Sequence, residues 1–216
     1  MLSKKYEHGR LYEKYDMTGD IHIGTGIVRV HDIFNPLPSF MGAADVIFCD
    51  PPYNASALNG YYTKAEIEKK PESFRSFFEV LFKRIAQINP RILILEVGVP
   101  QLGEYLDEIT SKYKHVIVKD SMYYGNAKNR CKIIIASNDE IPECLSDMSF
   151  MDEEKVIEYI CQNLEYSCIG DLCMGTGLVG FYSDKYGKPF VGTELNKKRL
   201  AVLLERITTK SRGTIK

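Results

Sequence analysis

The feature that most constrains the fold is a set of short, almost unbroken apolar runs separated by segments with a helical period. "ADVIFCD" (44–50) and "RILILEVG" (91–98) are two such runs, and the stretch between them, "FRSFFEVLFKRIAQI", repeats apolar residues at i, i+3, i+4 and i+7. Strands that are apolar on both faces must be covered on both faces, as in open parallel sheets. The alternation therefore predicts an α/β fold with a mostly parallel, doubly wound sheet.

The other elements follow the same pattern. "GIVRVHD" (26–32) predicts a strand, and "HVIVKD" (115–120) and "CKIIIAS" (131–137) predict two strands that can form a hairpin. Near the C-terminus a strand, a glycine turn and a helix precede the strand "PFVGTEL" and the helix "NKKRLAVLLERI". Residues 1–25 lack a clean period, and we interpret them as an N-terminal arm or a small hairpin.

Composition limits the class of protein. The chain has 216 residues, 44% of them hydrophobic and 26% charged, so we expect residues 1–216 to form a single domain with one substantial core. No apolar run approaches the roughly 20 residues of a membrane span, and the start "MLSKKYEHGR" is too polar for a secretory signal. We therefore expect a cytoplasmic protein that does not bind membranes. The cysteines show no C-x-x-C spacing and the histidines no ligand pattern, so no metal site is predicted.

A glycine-rich turn indicates a nucleotide cofactor. "DLCMGTGLVG" (171–180) places Gly175, Gly177 and Gly180 in G-x-G-x-x-G spacing after a predicted strand, and Glu194 ends the next strand. Glycines let the backbone approach a ligand, and a carboxylate can accept hydrogen bonds from two ribose hydroxyls. The pattern favours an adenosine-containing cofactor. It does not distinguish a nicotinamide dinucleotide from S-adenosylmethionine, because both carry this ribose.

The position of the turn in the chain is informative. A dehydrogenase normally begins with such a unit and continues through further strands, whereas only enough chain for one helix and a tail follows Glu194. Read circularly, the order becomes glycine turn, Glu194, Asp32 and Asp50, each at the carboxyl end of a predicted strand. Such ends line the ligand crevice of open α/β sheets. The sequence therefore predicts a circularly permuted order of motifs.

The order "VHDIF", "ADVIFCDPPYN", "DLCMGTG" and "VGTELN" resembles that of the permuted, beta-class amino-group DNA methyltransferases, over residues 26–207. The resemblance implies a Rossmann-like S-adenosylmethionine-dependent methyltransferase fold, with S-adenosylhomocysteine as a product. Because the motif is D-P-P-Y, it implies adenine N6 as the acceptor. The cofactor contacts that it implies are Asp171, Cys173, Gly175, Thr176, Gly177, Glu194, Leu195, Asp32 and Ile33.

The D-P-P-Y stretch fits this chemistry. An exocyclic amine is a poor nucleophile, and hydrogen bonds to the Asp50 carboxylate and the Pro51 carbonyl would favour its reactive geometry. Pro52 stiffens the turn, and Tyr53 offers a flat face for a base taken out of the duplex. Asn54 is a further candidate for substrate contact. A simple strand exit with a capping acid is the alternative interpretation, and the permuted context disfavours it.

Target recognition is less well specified. We interpret residues 55–70 as a loop whose Tyr61 and Tyr62 help to hold the base. Residues 121–154, where such enzymes carry a recognition region, hold one predicted strand and a short connection, so the recognition segment is reduced. Either the recognised site is very short, or a homodimer or separate recognition subunit reads it, or the substrate is not duplex DNA.

The leading hypothesis is therefore a site-specific DNA adenine-N6 methyltransferase that acts on a flipped adenine in duplex DNA. RNA adenine-N6, DNA cytosine-N4 or protein-amide methylation would use the same chemistry, although protein-amide enzymes more often show N-P-P-Y and the unpermuted order. From other classes, an NAD-dependent oxidoreductase and a non-catalytic subunit of a methyltransferase complex remain open.

Overall fold

A computed structural model describes residues 9–123, 126, 128–148 and 151–210. Within them the fold is built on one mixed sheet with the strand order β1-β2-β9-β8-β3-β4-β6-β5-β7. The strands are β1 (Ile21–Ile23), β2 (Gly26–Val30), β3 (Val46–Cys49), β4 (Ile92–Gly98), β5 (His115–Met122), β6 (Arg130–Ser137), β7 (Met151–Asp152), β8 (Ile169–Asp171) and β9 (Phe190–Glu194).

The centre of the sheet is parallel and its margins are mixed. Strands β2, β9, β8, β3 and β4 run parallel, while β1 pairs antiparallel with β2, and β6 pairs antiparallel with both β4 and β5. The predicted hairpin of β5 and β6 is therefore confirmed. The short strand β7 adds to β5 in parallel.

Helices cover both faces of the sheet, as the apolar strands require. They are α1 (Ala55–Lys64), α2 (Phe74–Ile88), α3 (Leu102–Thr110), α4 (Glu143–Ser146), α5 (Glu153–Asn163), α6 (Leu178–Lys185) and α7 (Lys197–Thr209). Along β3, Val46 and Phe48 pack into one core with α5, α6 and α7, whereas Ile47 and Cys49 pack into a second core with α1, α2 and α3. The predicted doubly wound α/β sheet is confirmed.

Two local predictions are corrected by the structure. Residues 55–64, interpreted as part of a loop, form the helix α1. The Asn54 side chain caps it by accepting a hydrogen bond from the Ala57 amide, and Leu58 and Tyr62, four residues apart, are buried in the second core. Residues 121–154 include the predicted strand β6, and their predicted connection contains α4 and β7; residues 124, 125, 127, 149 and 150 lie outside the described part.

The N-terminal arm also has a defined part. Residues 11–14 form a single 3-10 turn, and β1, the strand within the predicted arm, forms a hairpin with β2, which follows the arm. Residues 1–8 lie outside the described part. Across the residues that the structure describes, helices are too short or too polar to form a membrane-spanning segment.

Candidate active site

Four acidic residues converge at the carboxyl edge of the parallel strands. Glu194 ends β9 and Asp171 ends β8, while Asp50 follows β3 directly and Asp32 follows β2 by two residues. These strands are neighbours in the order β2-β9-β8-β3, although they come from opposite halves of the chain. The sheet thus brings together residues that are up to 162 positions apart in the sequence, from Asp32 to Glu194 (194 − 32).

A cavity of about 770 Å³ lies above this edge, within the range expected for a small-molecule site. Most of the residues implied as cofactor or substrate contacts line it. They are Asp32, Ile33, Asp50, Pro52, Tyr61, Tyr62, Asp171, Cys173, Gly175, Thr176, Glu194 and Leu195. Four other predicted site residues do not line the cavity: Pro51, Tyr53, Asn54 and Gly177. They can contribute to a site only from the edge of the cavity or by positioning a neighbouring residue.

The glycine turn has the geometry that its sequence predicts. Gly175 and Gly177 have φ values of +54° and +77°, which disfavour residues with a Cβ. A Cβ on Gly177 would also lie 2.5 Å from the Cβ of Leu203, so the glycine is needed for α7 to approach the turn. Gly177 then serves as the N-cap of α6.

Glu194 is tied to the glycine turn. One of its carboxylate oxygens accepts a 2.6 Å hydrogen bond from the Gly175 amide, and the other accepts a 2.9 Å bond from the Asn196 amide. Burial raises the pKa of the Glu194 carboxyl, and the positive charge of Arg199 opposes that rise. Each carboxylate oxygen has a second lone pair, so the group can still accept hydrogen bonds from a ligand.

Asp32 has a partner that the sequence did not reveal. Its Oδ1 accepts hydrogen bonds from the Tyr62 hydroxyl at 2.8 Å and from the Phe34 amide at 3.0 Å. Tyr62 is only 3% exposed, and burial raises the pKa of its phenol, with the Asp32 hydrogen bond as the second cause. In this arrangement Tyr62 orients Asp32, whereas Tyr61 lies nearer the surface with Arg199 4.9 Å above its ring.

The D-P-P-Y stretch places its acid and its ring together. The Tyr53 hydroxyl donates a 2.5 Å hydrogen bond to Asp50 Oδ1, and the Tyr53 ring lies 5.6 Å from that of Tyr123. Pro51 and Pro52 are buried between them. Burial raises the pKa of Asp50 to about 7, while the charge of Arg199 opposes the rise. Asn54 is exposed, and its side-chain oxygen is used to cap α1.

Two further acids lie beside Asp50, and the sequence analysis did not single them out. Carboxylate oxygens of Asp50, Glu96 and Glu153 all lie within 4.8 Å of one another. Burial raises the pKa of Glu153 to about 7 and that of Glu96 well above its usual value, with the Asp50 charge as the second cause in each case. Carboxylates this close cannot all be ionised unless their charge is balanced.

A sequence signal for these residues existed in part. Glu96 is the one acid inside the apolar run "RILILEVG", and such an interruption of a buried strand indicates a special environment. Glu153 was indistinguishable from the ordinary acids at the first turn of a helix. Arg199 belonged to a basic run that is usually a solvated face, yet it lines the cavity.

No protein-family model matches the chain, and no curated protein matches its sequence. Solved structures do match it. They include M1.HpyAVI in complex with SAM, at 14% identity and a TM-score of 0.56 over 83% of this chain and 97% of that one. The protein TTHA0409 of Thermus thermophilus, complexed with S-adenosyl-L-methionine, matches at 11% identity and a TM-score of 0.56 over 80% and 88%.

The cytosine-N4-specific PvuII DNA methyltransferase also matches, at 8% identity and a TM-score of 0.56, over 87% of this chain and 91% of that one. At these identities the likeness concerns the fold. The chain has the α/β fold of S-adenosylmethionine-dependent methyltransferases, as the sequence predicted. The circular permutation of its motifs stays a prediction.

Proposed function

We propose that the protein is an S-adenosylmethionine-dependent DNA methyltransferase, with permuted motifs, that methylates the exocyclic N6 amine of adenine. One observation carries the proposal: the glycine turn and the D-P-P-Y stretch follow the neighbouring parallel strands β8 and β3. Asp50 therefore shares one cavity with Gly175 and Glu194. A cofactor held by the turn would have its reactive end within reach of an amine held by Asp50.

The residues around the turn suit each part of this cofactor. Glu194 would accept hydrogen bonds from the ribose hydroxyls, and Asp32, oriented by Tyr62, would face the adenine ring beside Ile33 and Leu195. Asp171, whose Oδ1 already accepts from the Cys173 amide, would bind the methionyl ammonium group. Cys173, Gly175 and Thr176 of the glycine turn would contact the cofactor along the cavity wall. Gly177 would allow α7 to pack close to the turn.

The bound cofactor would supply an electrophilic methyl group. The task of the protein is then to hold the target amine with its lone pair directed at that group. The Asp50 carboxylate and the Pro51 carbonyl would accept the two amine hydrogens, and the stiff Pro51–Pro52 turn would fix their separation. The Tyr53 ring would stack on the extruded base beside Tyr123, and Asn54 and Tyr61 would lie at the entrance.

Adenine is preferred over cytosine in this proposal because the motif of residues 50–53, D-P-P-Y, resembles that of adenine-N6 methyltransferases. Cytosine N4 is the second candidate, since a cytosine-N4-specific enzyme is among the structures of similar fold. Both bases present an amine donor beside a ring acceptor, so the carboxylate alone does not separate them. Methylation of adenine N6 in RNA would use the same amine-holding and cofactor-binding residues. An oxidoreductase is not favoured by the structures of similar fold.

The substrate is proposed to be duplex DNA. Besides β6 and the adjoining ends of β5 and α5, the described part of residues 121–154 adds only α4 and β7, which offer little surface for reading a sequence. We therefore expect a homodimer or a separate recognition subunit to contribute. Light scattering with and without an oligonucleotide tests this: a monomer that forms a one-to-one complex with full sequence-specific activity would contradict it.

The experiment that tests the function is incubation with tritiated S-adenosylmethionine and separate DNA, RNA and protein acceptors. Labelled nucleic acid is then hydrolysed and its nucleosides are separated by chromatography. The proposal requires label in N6-methyladenine from DNA. Label found only in cytosine would support the second candidate, and label found in protein or in no acceptor would contradict methylation of nucleic acid.

A further inference from the structure

Glu96 is a carboxyl group in a place where an anion is not stable. It lies in β4, whose seven residues are all buried, and its exposed fraction is 0%. Within the described part of the chain, neither of its carboxylate oxygens accepts a hydrogen bond that meets ordinary geometric limits. Because burying an unpaired charge is strongly unfavourable, Glu96 must be neutralised by a proton or by a cation.

The groups that act on Glu96 come from three neighbouring elements. Asp50 faces it from the end of β3, Glu153 from the start of α5, and the Cys131 thiol from β6. The first two are acids that raise its pKa, and the weak thiol contact is the smallest influence. In the described part of the chain none of these facing groups is a cation; Arg199 of α7 acts instead on Asp50.

The order of acidity within the cluster is set by burial. Glu96 is fully buried, whereas Asp50 and Glu153 reach the cavity wall. Arg199 favours the ionised form of Asp50, and the Tyr53 hydroxyl also stabilises that form by donating to Oδ1. A proton shared between Asp50 and Glu96 is therefore held by Glu96, with Asp50 as the anion.

We propose that Glu96 is a positioning residue that stays protonated at neutral pH and donates its O–H to the Asp50 carboxylate. Together with the Tyr53 hydroxyl, this second donor would fix the plane of the carboxylate that receives the target amine. The proposal rests on the proposed function, because it assigns Asp50 the amine-holding role. It adds a residue from the sheet interior to the site.

The test compares Glu96→Gln, Glu96→Leu and a control, Glu104→Gln, which changes an exposed glutamate on α3. An amide can still donate a hydrogen bond, so Glu96→Gln should retain most of the single-turnover rate and the acid limb of its pH profile. Leucine cannot donate, so the Asp50 anion is less stable and the acid limb should move up by about one pH unit. The control should match the unaltered protein.

An ionised Glu96 predicts the opposite result. Glu96→Gln would then remove a negative charge beside Asp50, and the acid limb would move to lower pH. That outcome would overturn the proposal. So would stoichiometric binding of Mn²⁺, detected by its EPR signal in the unaltered protein and lost in Glu96→Gln, because the cluster would then be a cation site.

A second measurement does not depend on activity. Carboxyl ¹³C NMR of the cofactor-free protein, with Glu96→Gln to assign the signal, should show that Glu96 does not titrate between pH 4 and about 7. Titration of Glu96 in the usual glutamate range would refute the proposal even if methyl transfer is active. If no acceptor is methylated but Glu96 remains protonated, the proposed function fails while the pairing stands. This readout also remains informative if Glu96→Leu does not fold.

Discussion

The hydroxyl of Tyr53 donates a 2.5 Å hydrogen bond to Oδ1 of Asp50. The acid and the ring of the D-P-P-Y stretch are therefore coupled directly, and they are not two independent features of a turn. Since the hydroxyl stabilises the carboxylate form of Asp50, a change at position 53 should alter both the stacking surface and the ionisation of its neighbour.

Tyr53→Phe should move the acid limb of the single-turnover pH profile to higher pH, by about one unit, because the Asp50 anion loses a donor. Tyr53→Ala should in addition impair transfer to a paired adenine more than to an adenine in single strands, since the ring stabilises the extruded base. Rates measured on matched duplex and single-stranded oligonucleotides check both effects. Equal losses on the two substrates would argue against stacking.

Asp50→Ala should separate binding from chemistry. Cofactor affinity should stay within a few-fold, whereas the single-turnover rate should fall by roughly 100-fold or more, the scale of one lost preorganised polar contact. Glu104→Gln, at an exposed glutamate of α3, is the control and should leave the rate unchanged, whereas Asn54→Ala, which removes the cap of α1, should lower the free energy of unfolding by about 1 kcal/mol. A normal rate in Asp50→Ala would contradict the assigned role.

Glu194→Ala should weaken binding of S-adenosylhomocysteine. The ribose would lose two charge-assisted hydrogen bonds, worth roughly 1.5–3 kcal/mol together, and the Gly175 amide would lose its partner. Calorimetry measures the change, with NAD as the control ligand, which we expect not to bind. Unchanged affinity, or tighter binding of NAD, would remove the basis for the cofactor assignment.

Gly177→Ala should destabilise the fold more than Gly187→Ala. Both glycines have positive φ, at +77° and +68°, so both variants incur the roughly 1–2 kcal/mol of a left-handed residue with a Cβ. The Cβ at position 177 would also overlap Leu203, whereas no atom of the described residues lies within 4 Å of a Cβ at position 187. Urea unfolding should show a further loss of about 1–3 kcal/mol for Gly177→Ala. If the two variants lost the same free energy of unfolding, α7 would have to shift away from the glycine turn without cost, contrary to the prediction.

Glu153→Gln should change how stability depends on pH. The pKa of Glu153 is raised to about 7 in the folded protein, so its contribution is fully present below the pKa of the unfolded chain, about 4.3. That contribution is lost as pH rises through about 7. The variant should therefore gain stability relative to the unaltered protein between pH 5 and about 8, while Glu104→Gln should not. Free energies of unfolding, measured with denaturant for both variants and the unaltered protein across this pH interval, check the prediction.

The sequence predicted the sheet and its main helices because their signals are local. The apolar runs of β3 and β4 and the period of α2 can be recognised without any tertiary contact. Helix α1 was missed because its sequence is polar and only Leu58 and Tyr62 are buried. The cap at Asn54 was its one local signal.

The candidate site could be predicted from the sequence where motifs mark it, and not where residues distant in the sequence meet; its functional roles stay predictions. The glycine turn, Glu194 and Asp50 were found from their spacing and strand ends. The hydrogen bond from Tyr62 to Asp32 joins residues 30 positions apart, so no local pattern encodes it. Glu96 is the single acid in an apolar run. Its membership of a cluster of three acids could not be predicted, because β3 and α5 bring Asp50 and Glu153 beside it only in the folded protein.

The insertion of β8 between β3 and β9 has a consequence for the order of folding. During synthesis, residues 46–98 can pair as β3 and β4, but the other edge of β3 stays open until residues 169–171 emerge from the ribosome. An open edge of this kind exposes unpaired backbone groups, and such long-range pairing is slow. The nascent chain should therefore be most prone to aggregate, and most dependent on chaperones, before its last two strands are made.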